Sequence, residues 1–298
     1  MGDLNPQQAL AKLAAQIPDS CRENIVIVGS LAAAFQLLNN QKFSVRTKDI
    51  DCVIAPRISA TTKGAEVAEA LLSAGWKPRG EGQHGQPGNA KTPETDLPLV
   101  RLYPPDGSEW WVEFLTVPQK EGEQQNEWAR LELSAGHFAL RAFEFMSLSA
   151  FKPARTSLGL LCARPEMMAL ANMLEHPRVK PAVMSGPIAG RTIKRSNKDL
   201  GRVLSIAFLS EEDAIRSWAA TWADGLKECF PSRWRALALG AGSGFRELLE
   251  NPTDLDEAAY TCLQGLLINR NVPISQLLVA GNRVVRTAIE PLEKLANQ

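Results

Sequence analysis

The sequence predicts an α/β (α+β) fold: a mixed sheet with flanking helices over residues 1–155, followed by an all-helical domain over 156–298. Three observations predict it. In the first half, short β-branched runs alternate with helical periods. Pro104-Pro105-Asp106-Gly107-Ser108 separates two apolar runs as a hairpin turn would. From about residue 156 the apolar spacing is almost wholly helical, and 298 residues are enough for about two domains.

The elements follow in order. Asn5 and Pro6 read as N-cap and first helical residue, and Leu10, Leu13, Ala14 and Ile17 continue at helical spacing. Asn24 to Val28 reads as a strand, Gly29-Ser30 as a tight turn, and Leu31 to Leu38 as a helix. Asp49 to Ala55 is a second strand stopped by Pro56, and Thr62 to Ala74 a helix closed by Gly75. Residues 81–96 lack any period and concentrate Gly and Pro, which predicts a mobile surface loop. Leu99 to Tyr103 and Glu109 to Val117 form the hairpin arms, and His137 to Phe145 alternates as one more strand. The helical half is expected at Pro165 to Glu175, Thr192 to Leu209, Glu211 to Cys229, Thr253 to Leu267 and Ile274 onward.

Composition excludes several classes. The chain is 45% apolar and carries 33 basic against 33 acidic residues, so it does not coat nucleic acid by net charge. Its halves differ: residues 151–298 hold 19 basic and 15 acidic residues, the first half 14 and 18. Seven cations (Arg178, Lys180, Arg191, Lys194, Arg195, Lys198, Arg202) fall in one stretch against Asp199 alone. Such a run is more often a solvated helix face than a phosphate or RNA contact. Five scattered cysteines, never spaced C-x-x-C, make a poor disulfide framework and a poor zinc site, which fits a reducing cytoplasm. No apolar run approaches a membrane span, and no secretory leader is apparent at the N-terminus. The three histidines have no partner at triad or ligand spacing, and Trp218, Trp222 and Trp234 at helical spacing read as core.

Asp49 and Asp51 sit at i and i+2 on a strand, so both carboxylates leave the same face. Two like charges so close invite a cation, and hard oxygen ligands favour Mg²⁺ or Mn²⁺. Glu113, in the otherwise apolar run Trp111 to Leu115, is the natural third carboxylate. Gly29-Ser30, between strand and helix, lets backbone N–H groups approach a phosphate. D-x-D alone is a weak signal, and the ordered set carries the weight.

Val28-Gly29-Ser30, Arg46-Thr47-Lys48-Asp49-Ile50-Asp51 and Val112-Glu113-Phe114-Leu115 together resemble the fingerprint of polymerase-β-type nucleotidyltransferases. The R-T-x-D-I-D form is most similar to the AbiEii/MenT-like branch, toxin-type enzymes of bacterial toxin–antitoxin and phage-defence systems. Pro165-Glu166-Met167-Met168-Ala169-Leu170 and Lys198-Asp199-Leu200 resemble that branch's helical motifs, so the resemblance covers about residues 24–210. It implies a helical domain closing a cleft over the site, and transfer of an NMP group from an NTP to an RNA (such as tRNA), protein or small-molecule acceptor, with a cognate antitoxin as partner. Asp49, Asp51 and Glu113 would hold the metals, Glu113 would help deprotonate the acceptor hydroxyl, and Gly29, Ser30 and Lys48 would meet the nucleotide. Asn172 stands where relatives carry a lysine facing the triphosphate, and Lys194 and Lys198 are the expected substitutes. The alternative is a catalytically impaired relative that binds nucleotide, RNA or antitoxin without turnover.

Overall fold

The computed structural model describes residues 3–38, 44–80, 86–119, 121, 127–179, 182–184, 186–268 and 270–298. The chain divides into two compact units, residues 1–32 with 47–163 and residues 33–46 with 164–298.

The first unit is built on a mixed sheet. Outside it lie the helix α1 (Pro6–Ala14), whose N-cap Asn5 accepts a hydrogen bond from the Gln8 N–H, and a short strand β1 (Asp3–Leu4). Strand β2 (Ile25–Val28) is buried throughout and runs straight into helix α2 (Gly29–Leu37). A two-residue strand β3 (Val45–Arg46), which belongs to the second unit and not to this sheet, precedes β4 (Asp49–Ile54), and helix α3 (Arg57–Ser73) follows. The sheet continues with β5 (Lys77–Pro78), β6 (Arg101–Tyr103), β7 (Trp111–Thr116), β8 (Glu127–Leu133) and β9 (Gly136–Ala142). After the single-turn α4 (Met146–Ser149), it closes with β10 (Ala154–Arg155) and β11 (Leu161–Cys162). The order is β10-β11-β2-β4-β7-β6-β5, with β9 also on β7 and β8 on β9. β4 lies at its centre, antiparallel to β2 and parallel to β7.

Pairing of β11 with β2 extends the sheet beyond the expected boundary at 155, so this unit runs to Ala163. The expected hairpin forms with β6 antiparallel to β7, Leu102 opposite Val112. Strand β8, which no sequence signal singled out, pairs along its whole length with β9. Of the segment 81–96, residues 81–85 lie outside those described. The remainder is pinned: Gly88 and His137 exchange backbone hydrogen bonds, and Asn89 and Thr92 carbonyls accept from Arg130. Backbone groups satisfied this way order a stretch whose side chains show no period.

Helix α3 packs on one face of the sheet. A Cβ on Gly64 would lie 3.0 Å from Ile54 and 3.4 Å from Leu140, on the side of β4 occupied by Ile50 and Cys52. Because side chains alternate across a strand, Asp49 and Asp51 leave the opposite face.

The second unit is helical: α5 (Pro165–Val179), α6 (Arg195–Leu209), α7 (Glu212–Cys229), α8 (Trp234–Glu250), α9 (Pro252–Gln264), α10 (Ile274–Val284) and α11 (Glu290–Ala296). Trp218 and Trp222 are buried as expected, and the Trp222 indole N–H donates to the Glu166 carbonyl. Helix α6 begins three residues later than predicted because Ile193 and Lys194 belong to a short antiparallel excursion in which Val183 pairs with Lys194 and Ile188 with Arg191. The expected last helix is interrupted by a π-turn at Val285–Ile289, just ahead of Pro291, whose missing N–H cannot bond the Thr287 carbonyl. No helix among the described residues is long and apolar enough to cross a membrane, and all five cysteines are free thiols.

Candidate functional site

Strand β4 reads Asp-Ile-Asp-Cys-Val-Ile. Ile50, Cys52, Val53 and Ile54 are buried, while Asp49 and Asp51 remain half-buried on the face that α3 leaves uncovered. Thr47 at the strand's entry donates its hydroxyl to Asp49 Oδ1 at 2.8 Å, which fixes that carboxylate's orientation. Asp51 is opposite Val28, the last residue of β2, so the turn at Gly29 comes directly against it. Gly29 has φ +80°, and a Cβ there would lie 2.8 Å from Asp51 Oδ2. Only glycine satisfies both the backbone and the close approach. Ser30 follows, half-buried in the first turn of α2, so that a helix N-terminus opens beside the two aspartates.

Glu113 lies in register opposite Asp51, and Trp111 opposite Asp49, on the parallel neighbour β7. The three carboxylates therefore share one sheet face, as the strand periodicity predicts. The structure adds a partner that was not anticipated: Arg101 on β6, directly opposite Glu113, donates its Nε–H to the Glu113 carboxylate. Burial pushes the Glu113 carboxyl above the usual carboxylate range, the Arg101 charge and hydrogen bond oppose that, and the Asp49 charge adds to it. Glu113, expected as a third metal ligand, is ion-paired with Arg101 in this structure. Among the described residues no group of three His, Cys, Asp or Glu side chains is placed to hold a metal ion. Two aspartates nonetheless suit one Mg²⁺, which keeps several waters and takes phosphate oxygens beside one or two carboxylates. The tight turn at Gly29, which leaves room beside Asp51 that a Cβ would fill, fits that reading.

Lys48 is exposed one residue before Asp49, and its carbonyl accepts the Trp111 N–H at 2.9 Å. Trp111 is clamped by the Arg79 guanidinium, 4.0 Å above its ring, and by the edge of Tyr103. Sequence reasoning missed Arg101 and Arg79. A signal for Arg101 existed: an Arg and a Glu equally spaced about Gly107 must face one another across a regular hairpin.

The second unit shows what became of the basic run. Lys194 Nζ donates to Asp254 Oδ1 at 2.8 Å, and this raises the lysine's pKa. Asn197 donates to the same oxygen at 2.9 Å and to Glu257 at 2.7 Å. Arg191 reaches Asp256 and covers the Tyr260 ring at 4.1 Å. The acidic start of α9 thus engages Lys194, which was expected to meet phosphate, and Arg191 of the same basic run. Lys198 is half-buried in the first turn of α6. Asn172 donates to the Met168 carbonyl at 2.6 Å and accepts from Arg202 at 3.3 Å, so a neutral amide occupies the expected lysine position. The side chain of Arg178 and residue Lys180 lie outside the described residues.

No family model and no curated protein matches the chain. Among solved structures it is similar to the crystal structure of an antigenic nucleotidyltransferase-like protein from Paracoccidioides brasiliensis. The two are 16% identical over 79% of this chain and 94% of that one, with a TM-score of 0.34. A TM-score that low carries no functional weight.

Proposed function

We propose that this protein is a metal-dependent nucleotidyltransferase that moves an NMP group from an NTP to an acceptor. One observation supports the reading above all others. Asp49 and Asp51 share the open face of the central strand, and Asp51 lies against a positive-φ Gly29 that starts a helix. Carboxylates for a cation and backbone amides for phosphate are thereby adjacent, in the order Gly-Ser, D-x-D, acidic strand.

Asp49 and Asp51 would hold Mg²⁺ or Mn²⁺. When bound, that ion neutralises triphosphate charge and favours departure of pyrophosphate. The protein's own part is positioning. Gly29 and Ser30 present N–H groups to the phosphates, Thr47 keeps Asp49 in one rotamer, and Lys48 supplies a solvent-facing cation beside the pair. Of the two lysines expected to substitute at Asn172, Lys194 donates to Asp254, and Lys198 is the other. The R-T-x-D-I-D form favours a toxin-type role with an RNA acceptor such as tRNA and a cognate antitoxin as partner. The test is incubation with each labelled NTP in Mg²⁺ and with separated RNA, protein and small-molecule fractions. Label transfer with pyrophosphate release is expected, and its absence for every NTP and fraction refutes transfer.

A second reading is favoured by the Arg101–Glu113 pair and the neutral Asn172: a nucleotide, RNA or antitoxin binding module without turnover. NTP binding in Mn²⁺ without pyrophosphate release would distinguish it.

A further inference from the structure

The sheet edge beyond β7 carries cations on the aspartate face. Lys77 of β5, the last strand in the sheet order, is exposed and lies opposite Tyr103 of β6. The ladder runs one residue further, where the Arg79 N–H donates to the Arg101 carbonyl at 2.8 Å. Lys77 and Arg79 therefore leave the edge on one face, with about 6.7 Å between their Cα atoms. That face is the one bearing Asp49, because Tyr103 meets Trp111 edge-on at 5.9 Å and Trp111 is in register with Asp49 on the adjacent strand.

Arg79 and its neighbour Arg101 differ in their partners. Arg101 is ion-paired with Glu113, whereas among the described residues the Arg79 side chain meets no carboxylate and its buried Nε–H meets no acceptor. The Arg79 guanidinium carbon lies 4.0 Å from the Trp111 ring centroid, and the buried Trp111 indole N–H likewise meets no acceptor among the described residues. Lys77 is in no ion pair among them either.

Buried donors in excess call for a ligand rich in acceptors and poor in donors, which is the character of a phosphate. A guanidinium held flat on an indole loses little further freedom when it binds, and its rim still presents paired N–H groups to phosphate oxygens. Two cations at this spacing on an edge strand reach further than one phosphate group. They suit successive phosphodiesters of an extended strand, for which a cationic groove beside aromatic rings is the usual platform.

We infer that Arg79 and Lys77 form a subsite for the backbone of a single-stranded nucleic acid, with Trp111 holding Arg79 in place. The triphosphate proposed at Gly29 and Ser30 would lie on the β2 side of the aspartates and this subsite lies on the β7 side, so a strand bound here approaches Asp49 from the direction opposite the nucleotide. The inference names residues that would hold the acceptor. It rests on the proposed transfer for the reaction and not for the binding.

Fluorescence anisotropy of a labelled single-stranded RNA of about ten nucleotides, titrated with the full chain in metal-free buffer at several salt concentrations, tests it. Arg79→Gln should weaken binding about tenfold and lower the slope of log affinity against log salt by about 0.7, the share of one lost phosphate contact. Lys77→Gln should lower the slope equally, and Arg79→Lys should restore it. Affinity for a non-hydrolysable ATP analogue with Mn²⁺ should stay within about threefold in all three variants. No RNA binding by wild type, or unchanged affinity and salt slope in a folded Arg79→Gln, would overturn the inference. Equal weakening of the ATP analogue would overturn it in favour of the nucleotide's own phosphates. Circular dichroism establishes which variants fold. Should Arg79→Gln not fold, the exposed Lys77→Gln decides by its salt slope, an unchanged slope overturning the inference. Arg79-dependent RNA binding without transfer from any NTP would refute the transfer reading and leave the subsite standing.

Discussion

Replacing Gly29 by alanine tests whether the strand-to-helix turn is what places Asp51. Two penalties act at once. Any L residue at φ +80° is strained by about 1–2 kcal/mol, and the new Cβ would sit 2.8 Å from Asp51 Oδ2, closer than real Cβ atoms approach anything. Asp51 is half-buried and the clash is with the end of its side chain, so the contact is relieved by moving the oxygen rather than by unfolding. Stability should therefore fall only by the backbone term, lowering the melting temperature by roughly 3–6 °C for a unit of this size. The displaced oxygen affects ligand binding instead: Mn²⁺ affinity should drop about tenfold or more, equivalent to ~1.4 kcal/mol. Scanning calorimetry reads the first quantity and Mn²⁺ titration the second. Wild-type Mn²⁺ affinity in a variant that melts at the lowered temperature would refute the claim that Gly29 positions Asp51. A wild-type melting temperature would refute the strained turn itself.

Asp51→Asn should lower Mn²⁺ affinity by about a hundredfold or more and abolish transfer, while relief of repulsion with Asp49 leaves metal-free stability equal to or slightly above wild type. Transfer at the wild-type rate would exclude the mechanism. Lys194→Ala should leave NTP affinity within about threefold but destabilise the helical unit by ~1–2 kcal/mol, because the buried Asp254 loses a charged donor. Lys198→Ala should instead weaken NTP binding about tenfold, and equal effects of the two variants would sink the distinction. Burial, aided by the Asp199 charge and opposed by Arg195, pushes Glu175 up to about 7 from 4.5. The folded state then keeps a proton that the unfolded chain has lost. The associated stability, on the order of 3 kcal/mol, is fully present below about pH 4.5 and is lost as pH rises through 7. Urea melts between pH 5 and 8 should show this decline, and Glu175→Gln should flatten it.

What was legible in the sequence is what local chemistry dictates. The period-2 alternation of Asp49-Ile50-Asp51 placed both aspartates on one face, and Asn5-Pro6 marked a helix start that the side-chain cap realises. Gly29-Ser30 announced its turn because no other residue tolerates that backbone so near a carboxylate. Helix α8 was hidden by composition. Gly240, Gly242 and Gly244 lower helix propensity, yet Gly242 is required by packing, since a Cβ there would lie 2.4 Å from Ile289. Tertiary contact outweighs propensity at that position, and no window of local sequence contains Ile289. Strand β8 was missed for a related reason: Glu-Trp-Ala-Arg-Leu-Glu-Leu reads equally well as a helix, and its pairing with β9 decides the matter.

Charge partnerships were the least legible, and they are also what changes the functional reading. A lysine or a glutamate in sequence announces a charge but not whether another charge has already satisfied it. Lys194 finds Asp254 60 residues away, so a basic run that looks ready for phosphate is partly a structural clamp onto α9. Arg101 finds Glu113 12 residues away across a hairpin, so a carboxylate that looks ready for a metal is held by a guanidinium. The cost of burying either charge alone makes such pairing the expected fate of an ionisable group on a well-packed strand. Asp49 and Asp51 have an i, i+2 spacing that sets a like charge next along the same face, and the β4–β7 register places Trp111 and Glu113 opposite them. Two carboxylates so close on one face are a condition that a divalent ion relieves, which is why the cation role is proposed for the aspartates.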